Sequence, residues 1–297
     1  MFSPNRTMID AFVEHTLQQF AAAYPDADEA APRALEQAAR TALETLLNCD
    51  CPYHDIQHTI MVADVGQTIL QGRQIARGDL QATDWLNAVI AMLLHDVGYL
   101  RTLLRNDQDG ICVIDQDHQT VQPPPGSTDA FMPPYHVIRG VMFAIERFAA
   151  VAEIDHQVVA KCIEATRFPV PADAAYQCTD DLPGLVRAAD LIGQMADPQY
   201  LQKLSRLYAE FVETGEAARM GFTNAGALRE NFPEFFYSQV HPYIDAGIAY
   251  LKRTEDGQQW IANLYHHLHV NREIDPKVRA PELVVDNRFL DQIVAQA

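Results

Sequence analysis

The chain has 297 residues, 48% apolar and 21% charged, which is enough for one large soluble domain or two ordinary ones with a sizeable core. Its 22 Lys and Arg against 40 Asp and Glu give a formal charge of −18, which argues against the basic face that a nucleic-acid polymer or an anionic membrane requires. Five cysteines, an odd number in a chain too large to need staples, read as reduced thiols of a cytoplasmic protein.

The first residues lack a basic region followed by an apolar core, so no signal peptide is expected, and no apolar run approaches the ~20 residues of a membrane span. Thr7 to Tyr24 has roughly helical apolar spacing at Met8, Phe12, Leu17 and Phe20. Pro32 opens a second helix with Leu35, Ala39, Leu43 and Leu46 on one face. Both read as packing helices. From Tyr53 to Gln71 the apolar positions again fit a helix, and His54 and His58, four apart, share one face of it. Gly72 to Thr83 reads as a polar connection, and Asp84 as the N-cap of an apolar helix that ends in the doublet His95-Asp96. A buried carboxylate needs a partner, and a divalent cation would serve.

Leu103 to Pro134 reads as a long irregular segment, either a flap beside the site or a disordered insertion. Helices are expected over 135–151, with His136 at the start and Arg139 one turn on, over 155–166, and over 185–195, which carries Asp190. The stretch 198–265 reads as helical with Gly and Pro punctuation, and 271–297 as a proline-bounded tail with one last amphipathic turn. With no strand pattern of any length, no repeat and no clean linker, the chain reads as one all-α domain over 1–297, its metal-site core at about 51–197. His266, His267 and His269 read as a solvated helix face, and the Phe235-Phe236-Tyr237 run as core.

The set Tyr53-His54-Asp55-x-x-His58, Leu93-Leu94-His95-Asp96 and a helix-borne aspartate about a hundred residues later resembles the HD-domain metal-dependent phosphohydrolases, most of all their cyclic nucleotide phosphodiesterase-like branch. That resemblance implies a helical bundle with added N- and C-terminal helices, and four metal ligands: His58, His95, Asp96 and Asp190. It implies two divalent ions from among Zn, Mn, Fe and Mg, a small phosphoester substrate, and hydrolysis by a metal-bound hydroxide. His54 takes the part of general acid in that resemblance, a task suited to a group that titrates near working pH. His136 is a candidate for the second metal or the phosphate, or else a helix-start histidine bonded to backbone. Arg139 and Arg167 are candidate phosphate contacts, or else solvated surface arginines. Asp55 and Tyr99 stand where that branch has asparagine and histidine, and Ser238-Gln239 is the nearest echo of its base-binding glutamine. Two other functions are compatible with the same fold: a di-iron oxygenase, which would need a further histidine pair before Asp190, and a regulatory binding module without catalysis.

Overall fold

The computed structural model describes residues 3–108 and 110–274, with side chains through 270. The expected tail at 275–297 lies outside the described residues. The fold is all-α: the described residues form twelve α-helices, a few short 3-10 and π turns and one small hairpin. No described helix is long and apolar enough to cross a membrane.

The first two helices, α1 (Pro4–Ala23) and α2 (Ala30–Leu46), pack on each other. Helix α3 (Ile56–Arg77) runs further than its apolar spacing suggests. Gly72 sits inside it, where an added Cβ would strike the Tyr250 carbonyl at 2.1 Å, so this glycine marks a close crossing instead of a break. The helix ends instead at Gly78, whose φ of 62° suits a residue without a Cβ. Asp55 caps the other end by accepting from the Gln57 and His58 amides at 2.9 and 3.0 Å. Helix α4 (Ala82–Leu94) starts two residues before Asp84, which sits in its first turn and accepts from the Gln81 amide. Every residue from Trp85 to Leu94 is buried, so α4 is the central post of the bundle. It gives way to a tight 3-10 turn at Val97–Tyr99.

The segment 103–134 is a folded loop. It contains the hairpin β1 (Cys112–Val113) with β2 (Thr120–Val121), and buried carboxylates pin it to the bundle. Asp107 accepts from the amides of Leu103, Leu104 and Val113, and Asp129 accepts from Arg101 Nε at 2.7 Å. Helices α5 (His136–Phe148), α6 (His156–Ala165) and α7 (Leu182–Met195) follow. Helix α7 lies along α3. Gly193 allows that contact, since a Cβ there would come within 2.7 Å of the Val62 Cα. Helix α8 (Tyr200–Glu213) faces the N-terminal end of α3, and α9 (Glu216–Met220), α10 (Ala225–Phe235), α11 (Asp245–Leu251) and α12 (Glu255–Ile274) close the molecule. In α12, His267 is buried and its Nδ1 donates to the Met195 carbonyl at 2.8 Å, unlike the solvated face expected for that cluster. Phe236 is buried, as expected of a core run, and Gln239 is exposed.

Candidate metal centre

Three helices converge on one point. His58 comes from the first turn of α3, His95 from the end of α4, and Asp190 from the middle of α7. Their ligand atoms all lie within 4.8 Å of one another. The Nε2 atoms of His58 and His95 are 3.4 Å apart, the spacing of roughly 3.4 Å that two imidazoles take when each is ~2.1 Å from one tetrahedral ion. Asp190 Oδ1 lies 3.6 and 3.5 Å from these two nitrogens. His95 Nδ1 donates to the Met92 carbonyl at 2.7 Å, which puts its proton there and leaves the Nε2 lone pair facing the cluster.

Asp96 stands beside this group, not within it. Its Oδ2 is 3.2 and 3.1 Å from the His58 and His95 nitrogens, yet it is buried and forms no hydrogen bond. A buried carboxylate oxygen without a hydrogen-bonding partner, next to two imidazole nitrogens, is what a cation site needs. The donor set therefore fits a divalent metal. Burial opposes charge on all four groups. The carboxylates nevertheless raise both histidines, and the histidines hold Asp96 well below the usual carboxylate range and Asp190 at about 2. The Asp190 side chain is 17% exposed against 5% or less for the other three, so the open side of the centre lies next to it.

The other oxygen of Asp96 looks toward α5. His136 Nε2 lies 4.0 Å from Asp96 Oδ1, while His136 Nδ1 donates to the Pro133 carbonyl at 2.8 Å. His136 is thus a helix-start histidine bonded to backbone, and its other nitrogen faces Asp96. Burial pushes its pKa down to about 4, so the ring is neutral. Gly98 permits this approach, because a Cβ there would strike the His136 carbonyl at 1.8 Å.

His54 sits at the rim. Its Nδ1 is 2.6 Å from Glu210 Oε2, and Glu210 Oε1 accepts from the Tyr53 and His54 amides at 2.6 and 3.1 Å. Burial disfavours the imidazolium, but the Glu210 carboxylate outweighs it and raises His54 to about 9. Glu210 escaped the sequence reading. Its only signal is an acidic residue on the buried stripe of α8, one turn beyond Leu207.

Neither arginine enters the centre. Arg139 is fully buried, and so is neither a surface residue nor open to a phosphate. Its Nε donates to the Gly98 carbonyl at 3.0 Å, its two terminal nitrogens meet Asp107 at 3.2 and 3.0 Å, and the Val113 and Leu100 carbonyls accept from them as well. Arg167 is held bidentately by Glu164 at 2.7 and 2.9 Å, outside the cluster. A separate cavity of about 310 Å³ lies against the folded loop, by Asn48, Arg101 and Cys112, and none of the four candidate ligands lines it.

A family model described as Npun_R2479-like matches residues 2–273. The chain belongs to the Npun_R2479-like family. No curated protein and no solved structure matches it.

Proposed function

We propose that the protein is a metal-dependent phosphohydrolase of the HD-domain type, acting on a small phosphodiester or nucleotide-like ester. The observation that supports this most directly is the convergence of His58, His95 and Asp190 from three helices beside the unpartnered Asp96 Oδ2. In this reading those four residues hold one divalent ion. Asp96 Oδ1 and His136 offer a second ion few protein ligands, so water would complete its shell. Imidazole and carboxylate together suit Zn, Mn or Fe, with Mg at the harder, more hydrated position.

When bound, such ions polarise a phosphoryl oxygen and lower the pKa of a coordinated water. The chain's own residues supply the rest. Asp96 and Asp190 orient the ligand shell, and the Met92 carbonyl fixes the His95 tautomer. Glu210 accepts a hydrogen bond from His54 Nδ1 and its charge favours the protonated ring, so Nε2–H is the proton available to a leaving oxygen. The His54 side chain is one-fifth exposed, which leaves it accessible to a substrate. A module that only binds would not need that dyad. The oxygenase reading has less support, since His156 opens α6 and no hydrogen bond or ring contact among the described residues ties it to the centre.

The test is elemental analysis of the purified protein, then a panel of phosphomonoesters, phosphodiesters and nucleotides with Mn, Mg, Fe and Zn added in turn. Metal-dependent release of an alcohol or phosphate is expected. A metal-loaded chain that hydrolyses no member would leave a binding module, and an iron absorption band with O₂ uptake would favour the oxygenase.

A further inference from the structure

Four histidines crowd this centre, and distance alone does not say which of them bind metal. The His54 ring centroid is 5.5 Å from that of His58, and the His95 centroid is 5.4 Å from it. His54 is thus as near to His58 as the ligand His95 is. What separates their fates is Tyr99. Its buried ring lies between His54 and His136, stacked on the first at 4.7 Å with planes 15° apart and on the second at 4.4 Å with planes 23° apart. Two imidazoles that share an ion bring their nitrogens within about 4.2 Å. The Tyr99 ring therefore keeps His54 and His136 from sharing an ion, and its stacking restricts how the His54 ring can turn beside His58.

We infer that Tyr99 is a positioning residue that keeps His54 out of the metal shell, leaving it free to act on substrate. The inference rests on the metal reading of His58, His95 and Asp190. One face of His54 is fixed by the Tyr99 ring, and its Nδ1 by Glu210, so the imidazole cannot turn its Nε2 toward the ion at His58. Removing the flat wall leaves the single Glu210 contact to restrain the His54 ring, and an ion at His58 competes with that contact for the imidazole. The phenol oxygen has no part in this, so Tyr99→Phe should behave as the wild type.

The test counts imidazoles by X-ray absorption on protein loaded with one equivalent of Co(II) or Zn(II), so that only the tighter position fills. Two imidazoles per ion are expected in the wild type and in Tyr99→Phe, and three in Tyr99→Leu, with Tyr99→Met as a second variant and far-UV circular dichroism as the check on folding. Three imidazoles in the wild type would overturn the inference without any variant, and so would two in the folded Leu or Met protein. A wild type that binds no metal would overturn it together with the metal reading. A failed phosphoester panel with the expected counts would sink the reaction and leave the role of Tyr99 standing.

Discussion

Glu210 serves three donors with one buried carboxylate, and its substitution should separate acid catalysis from metal binding. Replacing His54 with Ala is expected to leave bound metal unchanged while hydrolysis falls by ~10²–10⁴, the usual scale for a lost general acid. Glu210→Gln keeps an acceptor for the two amides but removes the charge behind His54, and a fall of ~10–100-fold is expected, smaller than the loss of the general acid itself. Both are read from kcat with metal content measured in parallel. An unchanged rate in His54→Ala would remove His54 from the chemistry. The fold brings His58, His95 and Asp190 within 4.8 Å of one another with Asp96 beside them, and these four candidate ligands were expected from the resemblance to the HD-domain phosphohydrolases. Glu210 was not, because it meets His54 across 156 residues and only folding brings them together. His267 offers a different test at this scale. Burial pushes its pKa below the ordinary value, so the unfolded chain binds the proton more readily than the native one. Its neutral ring therefore stabilises the fold fully above pH ~6.5, and that contribution shrinks as the medium becomes more acidic. The stability lost in His267→Asn, from urea unfolding, should be larger at pH 8 than at pH 5; equal losses would refute the assignment.

The loop at 103–134 shows what an element can conceal. Its composition, with the Pro123-Pro124-Pro125-Gly126 run and few periodic apolar residues, offers no secondary-structure pattern, so neither its hairpin nor its anchoring was readable. Its order comes from polar contacts, some exposed and some buried, that reach residues from Asp50 to Glu213: the Asp129 amide donates to Asp50, the Thr128 amide and hydroxyl donate to Glu213 at the surface, and Arg139 of α5 is clamped by Asp107. The long helices were read correctly as helices because a 3.6-residue apolar period survives in them, while their ends shifted by several residues where a glycine serves close packing. Gly72, taken as the start of a connection, is one such case. The Asp107–Arg139 pair is almost wholly enclosed, with 1% and 0% of the side chains exposed. Removing one partner leaves a buried charge or a set of unmet donors, and Asp107→Ala should cost about 3–5 kcal/mol in urea unfolding. Replacing Asp107 and Arg139 together with Leu and Met should cost less than Asp107→Ala alone, because no stranded charge remains. A double variant worse than the single would show that the pair holds the loop by shape instead of by charge.

At the scale of the whole molecule, the centre joins the consecutive helices α3 and α4 to the sequence-distant α7, so a bound cation should act as a clasp on the fold. Helices α3, α4 and α7 form the middle of the bundle, and they deliver His58, then His95 with Asp96, and Asp190. Without the ion, buried carboxylates and imidazoles are left to satisfy one another, and Asp96 Oδ2 has only its ion-pair contacts with His58 and His95, with no hydrogen bond. A chain of formal charge −18 also draws cations toward itself at low ionic strength. Metal that binds only the native state adds RT ln(1 + [M]/Kd), about 4 kcal/mol at a thousandfold excess over Kd. For a domain of this size that corresponds to a Tm higher by roughly 10 °C. Calorimetry of the dialysed protein should therefore show a fall of that order after chelation with EDTA, restored by Zn or Mn. His58→Ala, which removes one α3 ligand and leaves the folded framework otherwise intact, should show little response to either treatment. The cost of losing the imidazole itself appears as a constant offset, whereas the clasp appears only as the difference between loaded and stripped protein. If the wild type and His58→Ala gained equally from added metal, the ion would be binding elsewhere on the acidic surface, and the three helices would be held by packing alone.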